Sequence, residues 1–378
     1  MTDPTHEYRP GLEGVIATDT QVSFLDLETE QIIVRGYDLI ELARTARYPD
    51  VAYLLLYGEL PTTDQQAGFD TDLRDAAALP PGMEAVLRSL PPEMDAMDAL
   101  RTALSALAGF EDPDVLADTS HAANLAKATR ILAKAPAVAA NAYRATHSLE
   151  LVTSDPELGF VANFLHLLPG PDVDEEAIEV FDRVLTCYSE HELANSTLTA
   201  RVVASTLADI YGAIVAATAS LKGPLHGGAN EAGARMFAEI AANGGSSTAE
   251  TYVLDKLERK ERIMGFGHRV YMHRPDPRAT LLAEDLTTLA ARRPGGEDLV
   301  RSYEICVATM EREKGLYPNT DLPIGLLLYL LDIPIDLYTP VFLCARIAGL
   351  AAHVLEQHDD NRLYRPRVLY TGPREKHP

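Results

Sequence analysis

The sequence predicts a mostly helical fold in two domains, on three observations. Apolar residues recur at helical spacing over long stretches, strand-like runs are few, and 378 residues exceed what one hydrophobic core usually organises. Four stretches carry the helical period: DALRTALSALA (98–108), NLAKATRILAKAPAVAANAYRA (124–145), LTARVVASTLADIYGAIVAATAS (198–220) and TPVFLCARIAGLAAHVLEQH (339–358). VSFLDLETEQIIVRGYD (22–38) alternates apolar and polar residues and reads as one small hairpin. Breaks are expected at LPPGM (79–83), LPGPD (168–172), GGSS (244–247) and RRPGGED (292–298), where Pro, Gly and charge interrupt the period. Ser247 and Glu250 have capping-box spacing, which predicts a helix from there to about Ile263. No internal repeat or long linker divides the chain.

Composition narrows the function. With 47% apolar residues the chain can build a sizeable core, and 56 acidic against 33 basic residues give a formal charge of −23. Such a balance disfavours nucleic acid or an anionic membrane as partner. It suits a surface kept soluble in high salt, or a GC-rich genome that favours Arg over Lys. Cys187, Cys306 and Cys344 are odd in number and far apart, so they define neither a disulfide framework nor a CxxC metal site, and a reducing cytoplasm is expected. The start MTDPTHEYRP has no signal-peptide character. The apolar region 324–356 is interrupted by Asp332, Pro334, Asp336, Pro340 and Arg346, so a soluble protein is expected.

Three bends concentrate groups suited to acid–base chemistry. In LKGPLHGGANEAG (221–233), His226 stands just before a predicted helix, whose positive end favours a neutral imidazole able to donate a hydrogen bond. A histidine that merely satisfies backbone groups at a bend is the alternative. IMGFGHRVYMHRPDPRA (263–279) sets His268 in a second glycine-rich bend; Gly265 and Gly267 lack the third glycine of a dinucleotide loop, and neither bend is a P-loop. EKGLYPNTDLPIGLLLYLL (313–331) places Asp321 before Pro323 and an apolar helix, which reads as a helix cap or as a general base. A capping hydrogen bond would lower the pKa and oppose the second role. His191-Glu192 lacks the second histidine of a zinc-protease motif, and no metal site is expected. Arg278, Arg346, Arg365 and Lys314 lie beside these bends in an otherwise acidic chain, and their chemistry suits carboxylates and phosphates.

Together LKGPLHGGANE, IMGFGHRVY with DPRA, YPNTD, IDLYTPVF with RIAG and AHVLEQ, and NRLYRPRVLYTG resemble the citrate synthase family of the short bacterial and archaeal type. GLEGV with RGYDLIELA (11–43), MDALRTALSAL and SEHELANSTLTAR extend the resemblance over nearly the whole chain. It implies a helical homodimer with a large domain from 1–226 and 330–378 and a small mobile domain from 227–329. It also implies condensation of acetyl-CoA with oxaloacetate and hydrolysis of the thioester, with no cofactor beyond the CoA co-substrate. 2-Methylcitrate synthase, using propionyl-CoA, is the alternative, and a catalytically silent oxaloacetate- and CoA-binding helical dimer a remoter one.

By the same resemblance Asp321 removes the acetyl proton, His226 hydrogen-bonds the thioester oxygen, and His268 polarises the ketone. His191, Arg278, Arg346 and, from across the dimer interface, Arg365 hold the dicarboxylate; Arg262, Ile263, Met264, Gly265 and Lys314 lie along CoA. Three departures from the family pattern stand out. The stretch from His268 to Arg278 is one residue longer than the common family spacing, with Met272 in a usually basic place and His273 or Arg274 as substitutes. LPIG follows Asp321 where FYSG is common, and Tyr188 stands where many members have His.

Overall fold

The computed structural model describes residues 8–377, apart from 27, 30, 268–270, 272 and 273. Among the described residues there are 17 α-helices and a single three-stranded antiparallel sheet, as the helical period predicts. The sheet pairs Ser23–Asp26 with Gln31–Val34, in a register from Ser23↔Val34 to Asp26↔Gln31, and adds the short strand Tyr37–Asp38 to the expected hairpin. Asp38 then caps the helix Leu39–Thr45 by accepting from Ile40 N and Glu41 N.

The helix Tyr338–Asp359 is the centre of the molecule, packed against Tyr48–Tyr57, His121–Thr146, Glu175–Tyr188, Asn195–Ala204 and Ile210–Leu221. Ile335–Asp359 is long and apolar enough to cross a membrane, yet 89% of its apolar window is buried inside the fold. Small residues permit this crowding: a Cβ on Gly349 would stand 2.2 Å from Glu190 Oε2 and 2.5 Å from the Ser189 carbonyl oxygen. Backbone cannot yield there, so Gly349→Ala should destabilise the fold by about 2 kcal/mol or more, read as a lower thermal midpoint. The helix His121–Thr146 passes through Pro136 without a break.

A second group packs mutually: Ala229–Ala242, Ser246–Glu258, Pro277–Ala290, Gly296–Lys314 and Asp321–Leu330. Between the groups run the bends that carry the candidate residues.

Three local expectations are corrected. The run 198–220 is two helices, because Leu207 adopts a left-handed φ of 64° and Asp209 caps the second by accepting from Gly212 N. The Ser247–Glu250 capping box does not form. Asp298, from a neighbouring helix, accepts from Ser246 N and Oγ instead, and the helix ends at Glu258 rather than near Ile263, with Lys260 at φ 58°. Asp321 is the first residue of its helix and not its cap; Thr320 stands in the cap position without a side-chain bond, and Asn319 Oδ1 accepts from the Asp321 N–H at 3.1 Å.

Candidate active site

His226 is fixed by the chain that bends around it. Its N–H donates to the Gly223 carbonyl at 2.8 Å, and Gly227 N–H donates back to the Leu221 carbonyl at 2.9 Å. A Cβ on Gly227 would lie 2.6 Å from that carbonyl oxygen, so the tight return requires glycine. The imidazole Nε2 accepts from the Ser196 backbone N–H at 3.3 Å and lies 2.9 Å from Ser196 Oγ. A nitrogen that accepts from a backbone N–H carries no proton, so the neutral ring holds its hydrogen on Nδ1. Burial, and secondarily Arg346, push the pKa of His226 down to about 4, which keeps the ring neutral at physiological pH. The neutral state inferred from helix position therefore rests chiefly on desolvation.

Asp321 is half-buried, and its Oδ1 accepts from the Tyr188 hydroxyl at 2.9 Å. Burial pushes its pKa up to about 6, although Tyr188, Arg278 and Arg346 all pull it down. With no capping bond to oppose the shift, the carboxylate has the basicity that the cap reading denied it.

Phe342, buried in the central helix, joins these groups. Its ring stacks on Tyr188 at 4.1 Å between centroids, meets His226 edge-on at 6.3 Å, and lies 4.9 Å below the Arg346 guanidinium. Arg346 is 2% exposed and donates from Nε to the Tyr188 carbonyl at 2.6 Å. Burial lowers its pKa to about 10, with Glu190 opposing, and it stays charged at physiological pH. Arg278, 3% exposed, forks onto Asp276 through Nε and Nη2 at 3.0 and 2.7 Å and reaches the Cys187 carbonyl from Nη1. Among the described residues three of the five guanidinium donors are thereby engaged, which leaves two for an anion.

His191 is half-buried in a tight loop where Glu192 takes a φ of 54° and donates its N–H to Ser23 Oγ; its ring nitrogen Nε2 lies 3.4 Å from the Tyr271 hydroxyl. The loop 262–267 is laced to the strand of chain leading into Asp321. Asn319 N–H donates to the Gly265 carbonyl at 3.0 Å, Gly267 N–H to the Tyr317 carbonyl at 2.8 Å, and Asn319 Nδ2 to the Gly267 carbonyl at 3.1 Å. Arg262 is exposed, Ile263 and Gly265 are buried, and Met264 lies between; Lys314 is exposed at the end of its helix, just before this strand.

His268 lies outside the described residues, as do Met272 and His273. Arg365 is exposed and lines a separate cleft of about 1400 Å³ with Arg201, Glu356 and Gln357, away from the Phe342 cluster. No group of three potential metal ligands occurs among the described residues. Phe342, Ser196 and Asn230 went unrecognised in the sequence, and Tyr188 was legible only as a departure; their roles exist only once the helices are packed.

A family model described as "Citrate synthase, C-terminal domain" matches residues 11–367. The chain belongs to the citrate synthase family. This family consists of acyltransferases. Its relatives include the citrate/2-methylcitrate synthase of Bacillus subtilis, 47% identical over 99% of both chains. The citrate synthase of Heyndrickxia coagulans is 46% identical over 98% of both. Among solved structures, the citrate synthase of Thermoplasma acidophilum in ternary complex with carboxymethyl coenzyme A and oxaloacetate superposes with a TM-score of 0.89. It is 30% identical, over 99% of this chain and 98% of that one. The mostly helical citrate synthase fold expected from the motifs is thus the fold of this chain.

Proposed function

We propose that this chain condenses acetyl-CoA with oxaloacetate and hydrolyses the citryl thioester to citrate and CoA. Asp321 takes a proton from the acetyl methyl while the Nδ1–H of His226 bonds the carbonyl oxygen as it becomes enolic. The enol carbon then attacks the ketone carbon, and His268 delivers the proton that the ketone oxygen needs. Water finally cleaves the thioester and releases CoA. His191, Arg278, Arg346 and Arg365 of the partner subunit hold the two carboxylates. Arg262 to Gly265 and Lys314 flank CoA, and no resident cofactor or metal enters.

The observation that carries this reading is a proton-accepting carboxylate and a neutral hydrogen-bond-donating imidazole meeting around Phe342, beside two buried arginines. A methyl next to a carbonyl is too weak an acid for a carboxylate alone. One preorganised donor to the developing enolate is worth roughly 3 kcal/mol, and exclusion of water adds to it. We assign that exclusion to closure of 227–329 against 1–226 and 330–378. The acidic surface does not oppose anionic substrates, because fields are screened beyond about 8 Å at physiological salt. A soluble cytoplasmic homodimer is the assembly this reading takes.

The decisive assay is oxaloacetate-dependent release of CoA with acetyl- and propionyl-CoA compared by kcat/KM. The 47% identical relative carries both activities in its name, which favours 2-methylcitrate synthesis as the second reading. One methylene is worth only about 1–3 kcal/mol, so both substrates should react. A clear propionyl preference selects the second reading, and oxaloacetate binding without any CoA release would leave a silent binding dimer.

The role of Arg365 has its own test. Arg365→Ala and Asp321→Ala homodimers should each be inactive, yet subunit exchange between them should restore about a quarter of parental activity, because half the dimers then hold one complete site. No recovery after verified exchange would place Arg365 in its own subunit's site.

A further inference from the structure

The Asp321 carboxylate has two oxygens, and the surrounding side chains treat them differently. Oδ1 accepts from Tyr188, whereas Oδ2 makes no hydrogen bond among the described residues. The Tyr188 hydroxyl in turn accepts from Asn230 Nδ2 at 3.1 Å. The orientation of that amide is fixed by its other end, because Asn230 Oδ1 accepts from the Glu231 N–H at 2.6 Å. With a lone pair of the phenol oxygen occupied by Asn230, its single hydrogen is left for Asp321. The ring cannot swing away, since it is 0% exposed and stacked on Phe342 at an interplanar angle of 17°.

We propose that Tyr188, oriented by Asn230, is a positioning residue for the base: it pins Asp321 Oδ1 and leaves Oδ2 as the oxygen that meets the substrate proton. This rests on the reading of Asp321 as the general base. The two donors form a one-way relay, Asn230 to Tyr188 to Asp321, drawn from the helices Ala229–Ala242, Glu175–Tyr188 and Asp321–Leu330.

The relay also limits how basic the carboxylate becomes. Burial raises its pKa, and the Tyr188 hydrogen bond is the largest influence pulling it back. The other charged groups that act on it among the described residues are Arg278 and Asp276, at the start of the helix Pro277–Ala290, and Arg346 on the central helix. Asn230, from the helix on the remaining side, is uncharged. Burial holds the Tyr188 phenol well above its ordinary pKa, so it remains a donor throughout the working range.

The test is the pH profile of kcat/KM for acyl-CoA in the parent, Tyr188→Phe, Asn230→Ala and the double variant. Tyr188→Phe should move the acid limb upward by about one pH unit, as expected when a carboxylate loses a hydrogen bond to its charged form. It should also reduce kcat at the plateau at least about tenfold through loss of orientation. Asn230→Ala should move the limb in the same direction by less, and should add nothing on the Tyr188→Phe background. A purely structural lesion lowers activity at every pH without moving the limb. An unmoved limb in Tyr188→Phe, or an Asn230→Ala effect undiminished without the hydroxyl, overturns the relay while leaving Asp321 as base. Full turnover in Asp321→Asn would instead remove the reading beneath it.

Discussion

Asp321→Asn should lose at least about a thousandfold in turnover and, at pH 8, unfold at a higher temperature than the parent. The two effects share one cause. Burial raises the folded-state pKa to about 6 from an ordinary value of 3.8, so the folded chain binds this proton more tightly than the unfolded chain does. Stability from this group is therefore complete below about pH 4, falls as pH rises from there through 6, and stays low above it. Holding the ionised carboxylate at pH 8 costs the fold at most about 3 kcal/mol, with the partial exposure of Asp321 screening part of it. Asparagine retains an acceptor for Tyr188 and never ionises. Thermal unfolding at pH 5 and pH 8, alongside CoA release, checks both halves: the gap between variant and parent should widen at the higher pH. A variant that melts lower at pH 8 would mean that Arg278 and Arg346 depend on the carboxylate more than burial penalises it.

His226→Ala should lower kcat by about a hundred- to a thousandfold, the usual consequence of removing one preorganised donor to a developing oxyanion. Its pH signature should differ from that of the base. With its pKa near 4, the ring is neutral across the working range and contributes no titration there. The acid limb of the parent profile, expected near pH 6 from Asp321, should therefore persist in the residual activity of His226→Ala. Exchange of the acetyl-CoA methyl protons with deuterated solvent should fall in parallel with kcat. Loss of turnover with undiminished exchange would move His226 from enol formation to a later step.

The fold was legible where one element answers to one pattern. The core helix at 339–358, the hairpin at 22–38 and the helix at 124–145 were each read within a few residues. What escaped depends on groups distant in sequence. The break near Leu207 needs a left-handed residue that carries no glycine, and the start of Ser246–Glu258 is capped by Asp298 from another helix. The site divides the same way. His226 and Asp321 stand in bends whose glycines and prolines mark them, and the family motifs gave them roles. That the Asp321 carboxylate meets Tyr188 and is not spent on a cap, that Ser196 selects the tautomer of His226, and that Phe342 seats both neighbourhoods are facts of packing between helices. Asn230 looked like any early helix residue, and nothing in its local sequence marks it as a donor to Tyr188.

The central helix also has a history before it is buried. The helices that pack on Tyr338–Asp359 precede it in the chain and are synthesised first. Until it arrives their apolar faces lack the segment they pack on, and Phe342 and Arg346 are not yet there to seat the candidate catalytic groups. The nascent chain must therefore hold apolar surface open during translation and then deliver into it a segment apolar enough for a bilayer. Chaperone demand should consequently persist until Tyr338–Asp359 has been made, and activity should arise only once that helix docks.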